Sequence, residues 1–459
     1  MKIRNLIVLS FIGLFIGFIS CRDDFDYDLA SDNLSFSNDT VNLDTIFNHT
    51  NSQTYKLTVH NNQDKDVEIP RIYLSRGEGS FFKINVDGTP GYEFENVAVR
   101  KNDSILIFLE IGVGEVLVNS NYEDEINFET TAGTQQVKLI SYLEKAKFYN
   151  PDQNDDYLLT ETEWNNEWSR VIFGNVNVPQ NNTLNIQAGT KIYFHHDAGL
   201  TINGTLNVNG DINNKVIFRT DRMDERSETL PDTWNKIYLE SAGSNLIQYA
   251  IIKGANRGLE VRNSNLNLYN TEILNNQEFG LLAYNSNITG RNLVISNSDI
   301  ATLGLEGGTY DFRHCTFANY FNIGQGSGNA YSLILSNDAS ALDSAKFYNN
   351  IFYGSPGDAI FFDNVNNNQF NYSFENNVIR NESGTINFSG SNNFTDPQFV
   401  NPEYEVNDLR LLDTTEVVGV ADSSYLDEFT TTDIKGVARP SANITPGAYQ
   451  TLVNPDELE

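Results

Sequence analysis

Three groups of side chains in this 459-residue sequence have the types and spacing to do chemistry. The first is basic. Arg291 and Arg313 stand 22 residues apart, each one residue before a short apolar run, and Asn270, Tyr348 and Glu375 hold the same place before runs of their own. Two guanidinium groups on successive repeats suit the carboxylate or sulfate groups of a polysaccharide, because Arg binds such groups bidentately. Asn270 and Tyr348 join them as candidate ligand-binding residues, while Asp311, Glu272 and Asp299 could pair with the arginines instead. The second group is acidic. Sugar cleavage needs paired carboxylates, or an acidic cluster with a positioned base. Glu240, Glu260, Glu272, Glu278, Asp299, Glu306 and Asp311 are dispersed. Aligned on the repeat, Glu260 falls opposite Leu282 and Leu303, and Glu272 opposite Leu293 and Cys315, so no acidic ladder forms and no catalytic residue is assigned. The third group holds possible metal ligands. His195 and His196 are adjacent, and adjacent strand residues point to opposite faces, so they read as surface or turn histidines. Asp152, Asn154 and Asp156 imitate the alternating oxygens of a calcium loop, but the required Gly and the closing Glu are missing, leaving only a weak calcium site. Cys315, in register with Leu293 and Ala250, reads as a small buried hydrophobe. No cofactor is expected.

What aligns these residues is a repeat. Residues 249–319 contain Tyr249-Ala-Ile-Ile-Lys-Gly254, Thr271-Glu-Ile-Leu-Asn-Asn276, Asn292-Leu-Val-Ile-Ser-Asn297 and His314-Cys-Thr-Phe-Ala-Asn319, whose last residues are 22, 21 and 22 apart. Each is a strand-sized run closed by Gly or Asn, the residues that enter left-handed backbone most cheaply. A second phrase, Gly258-Leu-Glu-Val-Arg-Asn263 and Gly280-Leu-Leu-Ala-Tyr-Asn285, keeps the same step. A period of that length with no helical periodicity implies a solenoid, a right-handed parallel β-helix of roughly ten turns over residues 171–400. Its shared apolar column would be either Ile251, Ile273, Val294 and Ile351 or Ile252, Leu274, Ile295, Phe317 and Phe352. Asn276, Asn297 and Asn319 should share one turn line.

The rest of the chain divides by pattern. Residues 1–20 have a basic start and a short apolar stretch ending at Cys21, an export signal too short for a membrane span. The string Gly17-Phe-Ile-Ser-Cys21 resembles a bacterial lipoprotein signal, which implies lipidation of Cys21 and an outer-membrane anchor. Arg22-Asp23-Asp24 is similar to the acidic tag of surface-exposed Bacteroidetes lipoproteins. Residues 21–33 would be an acidic tether. Between 34 and 146, alternating strands such as Tyr55-Lys-Leu-Thr-Val59 and Ser104-Ile-Leu-Ile-Phe-Leu-Glu110, with turn residues between, imply an immunoglobulin-like β-sandwich. Residues 147–170 would be a connector, 401–450 a cap closing the solenoid, and 451–459 a tail. Val178–Phe194 and Gly199–Gly210 look like the opening of bacterial pectate-lyase-like β-helix proteins. That resemblance is specific for architecture and weak for activity, since the fold hosts lyases, hydrolases, epimerases, adhesins and stalks.

A formal net charge of −31 argues against nucleic acid as a partner and against an anionic membrane surface. The expectation is a non-catalytic surface lipoprotein whose rigid β-helix binds carbohydrate or a surface partner. The alternatives are a polysaccharide lyase or hydrolase on the same scaffold, and a stalk without ligand.

Overall fold

The computed structural model describes residues 27–31, 34–150, 156–324, 330–388, 390–450 and 452–453. The chain is all-β and divides into two compact units, 1–144 and 145–459. The first is the expected two-sheet sandwich. One sheet carries the hairpin of Ser120–Thr130 and Gly133–Glu144, and the other is centred on Asp103–Ile111. Asp103–Ile111 alternates buried and exposed residues along its length, which places Ile105, Ile107, Leu109 and Ile111 in a core shared with Ile126, Phe128, Val137 and Leu139.

The second unit is a parallel β-helix of three sheets, with ten, nine and nine strands. Successive coils contribute one strand to each of these sheets, and the ladders within the three sheets are parallel. The corners explain the repeat. Between third and first sheets the chain turns at Tyr249, Asn270, Asn292, His314, Asn349 and Asn376, all at positive φ between 48° and 57°. Between first and second sheets it turns at Gly254, Asn275 and Asn297, and between second and third at Asn263, Asn285 and Gly307, also at positive φ. Amides stack along these lines, with Asn292 Nδ2 donating to Asn270 Oδ1 at 3.0 Å and Asn297 Nδ2 to Asn275 Oδ1 at 3.0 Å. Asn275, rather than Asn276, therefore shares the turn line with Asn297. The step at that coil is 21 residues, since Ile251 pairs with Glu272, while the next is 22. The same one-residue slip mixes the two candidate columns: Phe218, Ile252, Ile273, Ile295, Phe317, Phe352 and Ile379 point inward together.

Two boundaries differ from expectation. Residues 147–170 are no connector. Ala146–Tyr149, Tyr157–Leu158 and Glu163–Trp164 are the first strands of the three sheets, and Trp164 is fully buried at the start of the core. Residues 401–450 do not close the solenoid end. Ile386 and Phe388 pack against the last coil there, and Asn392 extends the buried Asn350–Asn377 amide ladder. The 399–450 segment instead folds back along the outer face of the first sheet, where Phe399, Leu409, Leu411, Val417, Ile434, Ala448 and Tyr449 form a second core with Val294, Ala318, Ile351 and Val378. Outward apolar residues at those positions need such a cover, which the repeat alone does not reveal.

Candidate functional site

The expected basic site is present in register but occupied. Arg291 and Arg313 are direct partners on adjacent strands, and the row they belong to is Tyr269, Arg291, Arg313, Tyr348 and Glu375. Asn270 lies one position further on, in the buried turn ladder, so it is not part of the row. Arg291 is only 6% exposed; it donates to Asp427 at 2.5 Å, pairs with Asp311 at 3.2 Å and bonds the carbonyls of Gly290 and Asp311. Arg313 grips Asp311 with two bonds of 2.9 and 2.8 Å. Burial works against ionisation of Asp311, but the hydrogen bond from Arg313 and the field of both guanidiniums hold its carboxyl below the usual range. Tyr348 stacks on Tyr425 with ring centres 4.2 Å apart, and Tyr269 stacks on Phe429 at 4.1 Å. The returning C-terminal segment thus supplies Asp427, Tyr425 and Phe429 as partners for this row. Arg291, Arg313, Asn270 and Tyr348 are structural.

The other candidates resolve as follows. Glu272 pairs with Val294 in register, not Leu293, and is bonded to Lys215 at 2.5 Å. Cys315 is fully buried, and burial pushes its thiol up to about 12, so it is inert. His195 and His196 lie beyond the strand Lys191–Phe194 and are exposed, each with Nδ1 on a carboxylate, Asp221 at 2.8 Å and Asp197 at 3.0 Å. Of the calcium candidates, Asp152 and Asn154 lie outside the described residues, and Asp156 is exposed. Cys21 also lies outside them.

The outer face of the second sheet carries a different arrangement. Strands Trp234–Leu239, Ala255–Arg262 and Phe279–Tyr284 are successive rungs there. Alternation sends Ile237, Leu239, Leu259 and Val261 inward and leaves Lys236, Tyr238, Arg257, Glu260 and Arg262 on the outer surface. Glu260 is the hub. Its side chain, 3% exposed, accepts from Lys236 at 2.7 Å, Arg257 at 2.7 Å and Arg262 at 2.8 Å. Arg257 also pairs with Glu278 at 2.6 Å, and the Tyr238 hydroxyl donates to Glu240 at 2.6 Å. Arg262 lies over the Tyr284 ring at 3.9 Å. Burial pushes the Glu260 carboxyl up, but the three cationic donors overcome it and hold the group at about 2. A carboxyl held in its charged form by three cationic donors does not deliver a proton as a general acid.

Towards the C-terminal coils the same face turns apolar. Leu282, Gly304, Ile334 and Phe361 continue the Glu260 row, flanked by Phe279, Ala301 and Tyr331. A Cβ on Gly304 would meet Phe279 at 2.8 Å and Leu282 at 2.9 Å, so glycine there lets both side chains lean across the strand. Phe361 is 43% exposed and stacks with Tyr331 at 5.4 Å. The sequence shows Glu260 as an isolated acid; that its neighbours Arg257 and Arg262 share its face follows from strand alternation, but Lys236 joins only through a register shift between Lys236 and Ile237.

No family model matches this sequence, and no curated protein matches it significantly. Among solved structures, the chain aligns with a family 123 glycoside hydrolase from Clostridium perfringens at 11% identity and a TM-score of 0.19, covering 25% of this chain and 27% of that one. It also aligns with XylC, solved in complex with xylose, at 10% identity and a TM-score of 0.36, covering 90% of this chain and 88% of that one. Scores of this size carry no functional argument.

Proposed function

We propose that this protein is a non-catalytic surface lipoprotein that binds glycan chains along the outer face of the second sheet. One observation carries the proposal: the C-terminal segment covers the outer face of the first sheet, while the neighbouring face displays cations, tyrosines and an apolar strip on successive rungs. Rungs recur every ~4.8 Å, close to the length of one sugar unit, so a glycan laid along the axis meets equivalent positions on each coil. Arg, Lys and Glu serve its hydroxyls, and Tyr284, Tyr331 and Phe361 serve its C–H faces. Glu260, clamped in its charged form by three cations, argues against a general-acid role and so favours binding over the lyase or hydrolase alternative. The test is retention on immobilised polysaccharides, with products assayed in parallel. The wild type is expected to be retained without new reducing or unsaturated ends, and Tyr284→Ala with Phe361→Ala to lose retention at least several-fold while melting normally. Release of new ends would instead establish the enzymatic alternative.

The lipoprotein half of the proposal rests on Cys21 after its short apolar stretch. A single acyl chain gives only marginal membrane binding, so two or three chains are expected on the mature cysteine. Cys21→Ser should shift the protein from the membrane fraction to the soluble one; unchanged membrane attachment would refute the anchor.

A further inference from the structure

We propose that this open face selects uncharged glycans over acidic ones, and that Glu260 sets the preference. The inference rests on the glycan-binding reading above and names its ligand class. Lys236, Arg257 and Arg262 bring three positive charges; Glu240, Glu260 and Glu278 answer them with three negative ones, so the cluster is balanced. The balance is fixed at the centre. Glu260 is almost wholly buried and bonded to all three cations, so an incoming carboxylate or sulfate cannot displace it without leaving a charge stranded in a partly dry site. Entry of an anion without displacement would add negative charge to a site with no surplus cation, on a protein already at −31.

An uncharged sugar meets no such obstacle. Lys236, Arg257 and Arg262 are 28%, 27% and 36% exposed, so their outer edges reach solvent. Glu240 is exposed and Glu278 is 34% exposed, offering acceptor oxygens for hydroxyls. Among the described residues, the two terminal amino groups of Arg262 bond no protein acceptor, although its Nε is held by Glu260. The guanidinium therefore stays fixed over Tyr284 with donors to give. Donors and acceptors that are already charged and held in place form strong bonds to neutral hydroxyls at little ordering cost. The covered face makes the contrast plain, because its two adjacent arginines did attract carboxylates, those of Asp311 and Asp427.

The experiment is affinity retention of the full-length protein on uncharged polysaccharides (β-glucan, xylan, mannan, α-glucan) and on acidic ones carrying uronate or sulfate. The wild type, Glu278→Gln and Glu260→Gln are run side by side at low and high salt. Glu278→Gln removes a rim carboxylate bonded to one arginine, so it should fold even where Glu260→Gln does not. The wild type is expected to be retained on uncharged polymer only. Both variants should gain at least several-fold in retention on acidic polymer, more for Glu260→Gln, and lose that gain at high salt. Retention of the wild type on acidic polymer, or variants that leave the preference unchanged, would overturn the selectivity while leaving glycan binding intact. Retention on nothing would overturn the glycan reading itself.

Discussion

Two faces of one solenoid present paired arginines, on adjacent rungs in one case and along a single rung in the other, and the two clusters have opposite fates. On the edge between third and first sheets, Arg291 and Arg313 face the chain's own C-terminal segment, which brings Asp427 over them and stacks Tyr425 and Phe429 on their neighbours. On the second sheet, Arg257 and Arg262 have their carboxylate within the rungs themselves, as Glu260. In the first case Asp311 lies on the rungs, but the counter-charge that completes the cluster, Asp427, comes from 114 to 136 residues away along the chain, and Arg291 beneath it is buried. In the second it lies two or three residues away, and the outer edge of the cluster stays in solvent. The difference shows that a row of cations on a β-helix identifies a binding surface only after the fate of the terminal segments is known.

The sharpest way to break this comparison is to truncate one arginine from each face. Arg291→Ala removes a buried partner of Asp427 and is expected to destabilise the protein by roughly 3 kcal/mol, as breaking a buried pair does. Arg262→Ala leaves Glu260 with Lys236 and Arg257 and should cost about 1 kcal/mol or less. Urea unfolding midpoints at neutral pH give both values. Equal losses would mean that the C-terminal segment does not dock in solution as it does here.

A smaller effect sharpens the comparison through pH. Glu260 is held at about 2 in the folded protein against an ordinary 4.5, so the folded state binds its proton less readily than the unfolded chain. Its contribution is therefore full above about 4.5 and is lost progressively as pH falls toward 2. Asp311, on the covered face, is shifted in the same direction. The wild type should lose stability steadily across that acid range. Glu260→Gln should show a shallower slope with the Asp311 share remaining, and an unchanged slope would show that Glu260 is not clamped by its three cations.

Much of this arrangement was legible in the residues. The 22-residue step with Gly or Asn closing each run implied the coil, because only residues tolerant of positive φ can turn every corner at low cost. Arg291 and Arg313 were correctly placed on neighbouring rungs. Asn270 and the inner column went astray by one position where a coil is 21 residues rather than 22, and a slip of one exchanges inside for outside in a period of two. The first coil at 146–164 escaped notice because its strands are only two to four residues long and its connections are irregular.

The sequence by itself determined the fold class and the placing of Arg291 and Arg313 on neighbouring rungs, since these follow from local backbone preference and from a repeat that each coil states for itself. The tertiary structure alone decided which arginines are free to act. Nothing in the period of residues 249–319 encodes that Asp427 will arrive at Arg291, or that Val294, Ile351 and Val378 will be covered while Ile334 and Phe361 are not. Those outcomes depend on contacts between segments distant in sequence, where the packing of one unrepeated segment, and not periodicity, selects the face that is buried.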